Sequence, residues 1–163
     1  MLLRHGPVDP PGRIAHRLGI LMQRMYFLII TAWGEAGTGL LALVSPSLLL
    51  ALLLGVDQSS PEAIFCGRIA GAALLALGSA CWCGRSDRGN GLLISVLLYD
   101  VAAALILAFT GLFLGLVGIG LWPAVALHAV LALWCVGCLW NVPRGKGCAN
   151  ENELKEVPAT RAG

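Results

Sequence analysis

The stretch Leu92-Leu-Ile-Ser-Val-Leu-Leu-Tyr-Asp-Val-Ala-Ala-Ala-Leu-Ile-Leu-Ala-Phe-Thr-Gly-Leu-Phe-Leu114 carries a single charge, Asp100. A helix needs about 20 mostly apolar residues to cross a hydrocarbon core about 30 Å thick. This stretch meets that length, and no soluble core helix of such uniform apolarity is expected. Working outward, three more stretches of the same kind appear, at 25–44, 63–83 and 121–140. Ser45-Pro46 stops the first. Ser60-Pro61-Glu62 opens the second: Ser60 can cap, Pro61 fits a first turn, and Glu62 complements the helix dipole. Gly89-Asn90-Gly91 precedes the third, and the uncharged 115–120 segment makes a tight hairpin into the fourth. The sequence thus predicts an all-α, polytopic four-helix membrane bundle. A further apolar piece, Leu48 to Leu54, is too short to span and is expected at the outer surface.

Composition supports the same class. Of 163 residues, 58% are hydrophobic and 12% charged, and the mean hydropathy is +0.81. Soluble domains carry about 25% charged residues. The net charge of +2 is small and no basic run tracks a phosphate backbone, which argues against nucleic acid as a partner. The segment 1–24 is polar, basic and Pro/Gly-rich, without the apolar core of a secretory signal, so the first span is expected to be retained as an anchor. The tail 141–163 mixes charges without apolar period and reads as solvated unless a partner orders it.

Orientation follows from the basic flanks. Arg4, Arg13, Arg17 and Arg24 precede the first span, Arg85 and Arg88 lie between the second and third, and Arg144 and Lys146 follow the fourth. The other two loops hold no basic residue. The expected arrangement places both termini on the cytoplasmic side, with Trp122 and Trp140 as interface anchors of the fourth span.

Ionisable groups inside hydrocarbon are costly and face a bundle interior or a cavity. Glu35 falls roughly 15 Å from the inner end of its span and Asp100 roughly 12 Å, at about 1.5 Å per residue. Arg68 falls about 8 Å from the outer end, and His128 roughly 10 Å. Thr31, Glu35 and Thr38 line up on one helical face. These six residues are the candidate site. The expectation is a structural network in which Arg68 pairs with Glu35 or Asp100; the functional alternatives are a proton or ion path or a polar pocket for a head group such as a quinone, and a further alternative is pairing with another subunit. No second histidine lies in any span, so a bis-histidine haem within the chain is excluded.

Cys81, Cys83, Cys135, Cys138 and, in the tail, Cys148 gather near the inner interface, and Cys66 stands alone near the outer end. Thiolates could serve zinc, an iron–sulfur cluster or redox exchange. Against that, Cys81 and Cys83 point about 200° apart on a helix, and free cysteine is a common small apolar residue of buried positions. Inert packing is the expectation, and the metal content is left open. No hydrolase, zinc-protease or nucleotide-binding motif is present, so catalysis by the chain on its own is not expected.

Glu35-Ala-Gly-Thr-Gly-Leu-Leu-Ala-Leu-Val-Ser-Pro46, Gly67-Arg-Ile-Ala-Gly71, Leu75-Ala-Leu-Gly78 and Leu121-Trp-Pro-Ala-Val-Ala-Leu-His128 resemble the DoxX-like group of small bacterial four-helix membrane proteins. The resemblance implies a four-helix bundle of the bacterial inner membrane, with an acid in the first helix and an arginine opening the second. Some members of that group are subunits of membrane oxidoreductases such as thiosulfate:quinone oxidoreductase. The cysteines are not part of the pattern. The reading that follows is an accessory or scaffolding subunit, in contact with lipid and with other membrane subunits or its own copies. A quinone-binding oxidoreductase subunit and a small oligomeric transporter or channel are the alternatives.

Overall fold

Pro46 ends the first helix and starts the next, and most of the architecture follows from where such breakers fall. The computed structural model describes residues 11–87 and 89–140. They form α1 (Pro11–Val44), α2 (Pro46–Leu54), α3 (Pro61–Cys83), α4 (Gly91–Phe113) and α5 (Leu121–Trp140), with a single 3₁₀ turn at Gly84–Ser86. Four helices are long and apolar enough to cross a membrane, with spans at Leu18–Val44, Pro61–Ser86, Gly91–Phe113 and Leu121–Trp140. The expectations placed on 1–10, on Arg88, and on the tail 141–163 with Cys148 lie outside the described residues.

The clearest departure from the sequence reading is the start of α1. Met25 was the expected beginning, yet the helix already runs from Pro11. Arginine, leucine, methionine and glutamine are good helix formers, and Pro11 suits a first turn. The basic residues of this segment limit membrane immersion, not helicity. At about 1.5 Å per residue the helix is roughly 50 Å long, longer than a hydrocarbon core, so its first turns project beyond the span.

The other boundaries lie close to the breakers. The Ala63 N–H donates to Ser60 Oγ at 3.2 Å, so Ser60 caps α3. α2 has 9 residues, too few to span, and ends at Gly55 in the left-handed region (φ 68°). Its last carbonyls are used by the loop between α4 and α5: the Gly118 N–H donates to Leu53 O at 3.0 Å and the Gly120 N–H to Leu52 O at 2.8 Å. A Cβ on Gly118 would stand 2.1 Å from Leu52 O, so only glycine allows this approach.

The helices pack as two tight pairs, α1 with α3 and α4 with α5. The first pair is a small-residue interface. A Cβ on Gly39 would lie 2.7 Å from Gly71 O, and one on Gly78 would lie 2.9 Å from Ala32 O. Without a side chain in the way the backbones approach closely, which is how helices associate when lipid offers no hydrophobic drive. α1 also touches α5, which joins the pairs.

The core where the pairs meet contains Phe27, Leu28, Cys81, Leu93, Val96 and Cys135. At its end the buried Arg24 reaches the turn between α3 and α4, donating to Gly89 O and to Asn90 Oδ1. Elsewhere large apolar side chains face outward: Trp33 is 70% exposed, Leu98 71% and Leu133 73%. An apolar exterior around a partly polar interior is the arrangement expected of a chain solvated by lipid.

Candidate functional site

Three helices each send an ionisable side chain to one point. α1 supplies Glu35, α4 supplies Asp100 and α5 supplies His128. One ligand-competent atom from each lies within 4.8 Å of the others. His128 Nδ1 stands 2.8 Å from Asp100 Oδ1. An ionised carboxylate only accepts, so in that state the Nδ1 proton belongs to the imidazole and fixes its tautomer. Asp100 is fully buried and Glu35 is 5% exposed. His128 is the most accessible of the three, at 14%.

Two further residues complete the surroundings. The Tyr99 ring meets the His128 ring edge-on at 5.6 Å. Tyr99 therefore touches one member of the cluster. The sequence reading passed over it, although a tyrosine inside a span needs a partner for its hydroxyl when buried and sits next to Asp100. Thr31 lies one turn from Glu35 on the same face of α1 and is 1% exposed.

Polar satisfaction in the cluster is incomplete. Asp100 Oδ2 and Thr31 Oγ1 are buried without a hydrogen-bond partner. The Thr31 case differs from three other hydroxyls in the spans. Ser79, Ser95 and Thr110 each donate to the carbonyl four residues back, at 2.8, 3.1 and 2.8 Å. That back-bond is the ordinary solution for a hydroxyl within a helix. Thr31 does not use it, so its oxygen is left available to the interior.

The remaining expected site residues lie elsewhere. Thr38 is exposed, and so is Arg68. Arg68 makes no ion pair among the described residues and does not reach Glu35 or Asp100, which corrects the expected pairing. Gly71 and Gly78 turn toward α1 and set the rotation of α3, and that rotation leaves Arg68 outside. Cys81, Cys135 and Cys138 are buried in the core, and the Cys135 thiol donates to Leu93 O at 3.2 Å. Cys66 and Cys83 are exposed, and all five described cysteines are free thiols. Among the described residues the one grouping able to hold a metal ion is Glu35, Asp100 and His128, with no cysteine in it.

The arrangement can accept a cation or hydrogen-bond a polar head group. With both carboxylates ionised and the imidazole neutral it carries two negative charges in a dry interior, a state that needs compensation. Comparison with protein-family models, with curated proteins and with solved structures finds no match to this chain.

Proposed function

We propose that this chain is an integral membrane subunit of a larger membrane assembly, and that it supplies a mid-membrane ligand centre built from Glu35, Asp100 and His128. The observation that carries the reading is the convergence of three ionisable side chains from three helices. Such groups are expensive in hydrocarbon and mark functional sites there. A purely structural role is less economical, because a buried ion pair is often no more stabilising than well-packed apolar residues. Two carboxylates at one point add repulsion that a register-fixing device does not need.

The assembly part of the reading is supported by Arg68. An exposed guanidinium on α3, between the outward-facing Phe65 and Ile69, presents a charge on an apolar surface. An acidic group on a neighbouring subunit, or a lipid phosphate, would compensate it. Both termini are proposed to be cytoplasmic, in the bacterial inner membrane. Arg24 and Arg85 lie at one end of the bundle, and the loop with Asp57 lies at the other. The DoxX-like resemblance fits the same reading, since subunits of oxidoreductases are known in that group.

Isolation from native membranes in a mild detergent tests it. Membrane partners are expected to co-purify in fixed ratio and to crosslink to the chain in situ. A lone monomer without crosslinked neighbours contradicts the reading.

A second reading, a quinone-binding oxidoreductase subunit, is favoured by the partial exposure of His128. The cluster reaches the bundle surface along α5, where a ring carried in lipid can approach. Saturable binding of a quinone analogue that is lost in Asp100→Asn and His128→Ala would support it. Binding unaffected by both substitutions would remove it.

A further inference from the structure

The ligand that best matches the cluster is set by its charge and its unused atoms. Two carboxylates and one imidazole sum to two negative charges when the carboxylates are ionised, and a single divalent cation cancels that sum in the interior. Asp100 Oδ2 has no partner, although Asp100 is fully buried and its other oxygen holds His128. This oxygen is a buried acceptor left unused. The Thr31 hydroxyl, on the Glu35 face of α1, is a second buried oxygen without a partner.

Distances agree with this. Ligand atoms from the three side chains lie within 4.8 Å of one another. Three donors about 2.0–2.2 Å from one ion stand at most about 3.8 Å from one another, so the side chains close by up to about 1 Å on binding.

The donor set chooses among cations. Magnesium keeps much of its water and favours all-oxygen octahedra, and calcium takes six or more oxygens. A dry site offering one imidazole nitrogen and two carboxylates suits zinc, manganese or iron(II) instead.

We propose that Glu35, Asp100 and His128 bind one divalent transition-metal ion at mid-membrane, one ligand atom from each, and that binding releases the proton shared by His128 Nδ1 and Asp100. This rests on the reading of the cluster as a ligand centre. The core cysteines take no part: they lie in the packing between the helix pairs, and among the described residues no grouping of three ligand residues includes one.

The test uses the full chain in lipid nanodiscs, stripped of metal and titrated with cobalt(II), whose visible absorption reports coordination. The expected result is saturation at one cobalt per chain, competed by zinc, without the near-ultraviolet bands of a cobalt–thiolate bond. Asp100→Asn and His128→Ala are expected to weaken binding beyond the roughly 10–100-fold that an outer-shell change costs. Cys138→Ala is expected to leave it unchanged. Failure of the wild-type chain to bind cobalt or zinc overturns the proposal whatever the variants do, and so do thiolate bands in the wild-type spectrum. Unchanged binding in folded Asp100→Asn and His128→Ala also overturns it. Partner capture from native membranes is read separately, so loss of the metal inference and loss of the subunit reading are distinguishable.

Discussion

His128 on α5 and Asp100 on α4 form a buried pair, Nδ1 to Oδ1 at 2.8 Å, across the hairpin closed by the 114–120 loop. The pair ties together the two helices of that hairpin, and Glu35 from α1 reaches it from the other half of the bundle. Removing one partner leaves the other polar group in hydrocarbon. His128→Ala is therefore expected to destabilise the fold by about 3 kcal/mol. The double variant Asp100→Leu/His128→Leu is expected to cost less than the two single leucine substitutions summed, as coupled neighbours do. Thermal unfolding in a fixed detergent measures the cycle. Additive losses would show that the pair is not coupled.

Thr31 gives a prediction of opposite sign. Its hydroxyl is buried and unpaired, so the fold bears a desolvation cost for it. Thr31→Val keeps the shape and removes that oxygen. It is expected to leave stability unchanged or raise it by up to about 1 kcal/mol, while weakening any ligand held at the cluster. A loss of stability greater than about 1 kcal/mol would mean that the hydroxyl has a structural partner.

The contact between α1 and α3 depends on absent side chains. A Cβ on Gly71 would stand 2.8 Å from Gly39 O and 2.9 Å from the Ala42 Cβ. Backbone cannot move aside as a flexible side chain can, so Gly71→Ala is expected to cost about 1–3 kcal/mol. Gly37→Ala is the matched control, since nothing lies within 4 Å of its added carbon. The unfolding midpoints of the two variants in the same detergent check this. Equal midpoints would place the helix contact elsewhere.

Sidedness is open to labelling. In a background with Cys66→Ser, Cys83→Ser and Cys148→Ser, Gln58→Cys is expected to react with a membrane-impermeant maleimide added to intact cells. Ser86→Cys is expected to react only after the membrane is opened. Both positions are exposed and lie in opposite connecting segments of the bundle. The reverse pattern would turn the protein over.

How far these features were legible in the sequence varied with their physical origin. Long apolar runs announce themselves, and α5 begins at Leu121 and ends at Trp140 as the hydropathy indicates. Ser60-Pro61 marked the start of α3 because capping is local chemistry. The start of α1 at Pro11 was missed because hydropathy reports immersion, whereas helicity follows backbone propensity. Glu35, Asp100 and His128 stood out as rare ionisable residues in apolar runs, and counting along each helix placed Glu35 and Asp100 at similar depth, with His128 counted from the outer end. Which of them meet depends on how the helices are rotated against one another. Charge complementarity alone nominated Arg68 as their partner. The glycines of α3 that face α1 leave Arg68 outside instead, and no local pattern in the sequence signals that rotation. Tyr99 escaped notice for a related reason: its contact with His128 appears only once α5 is packed against α4.

The most direct test of the central claim is a density map of the chain isolated from its native membrane. The account predicts a particle larger than the four spans of one chain, with non-protein density bounded by Glu35, Asp100 and His128. A solitary four-helix particle in which these three side chains bond only to one another would contradict it.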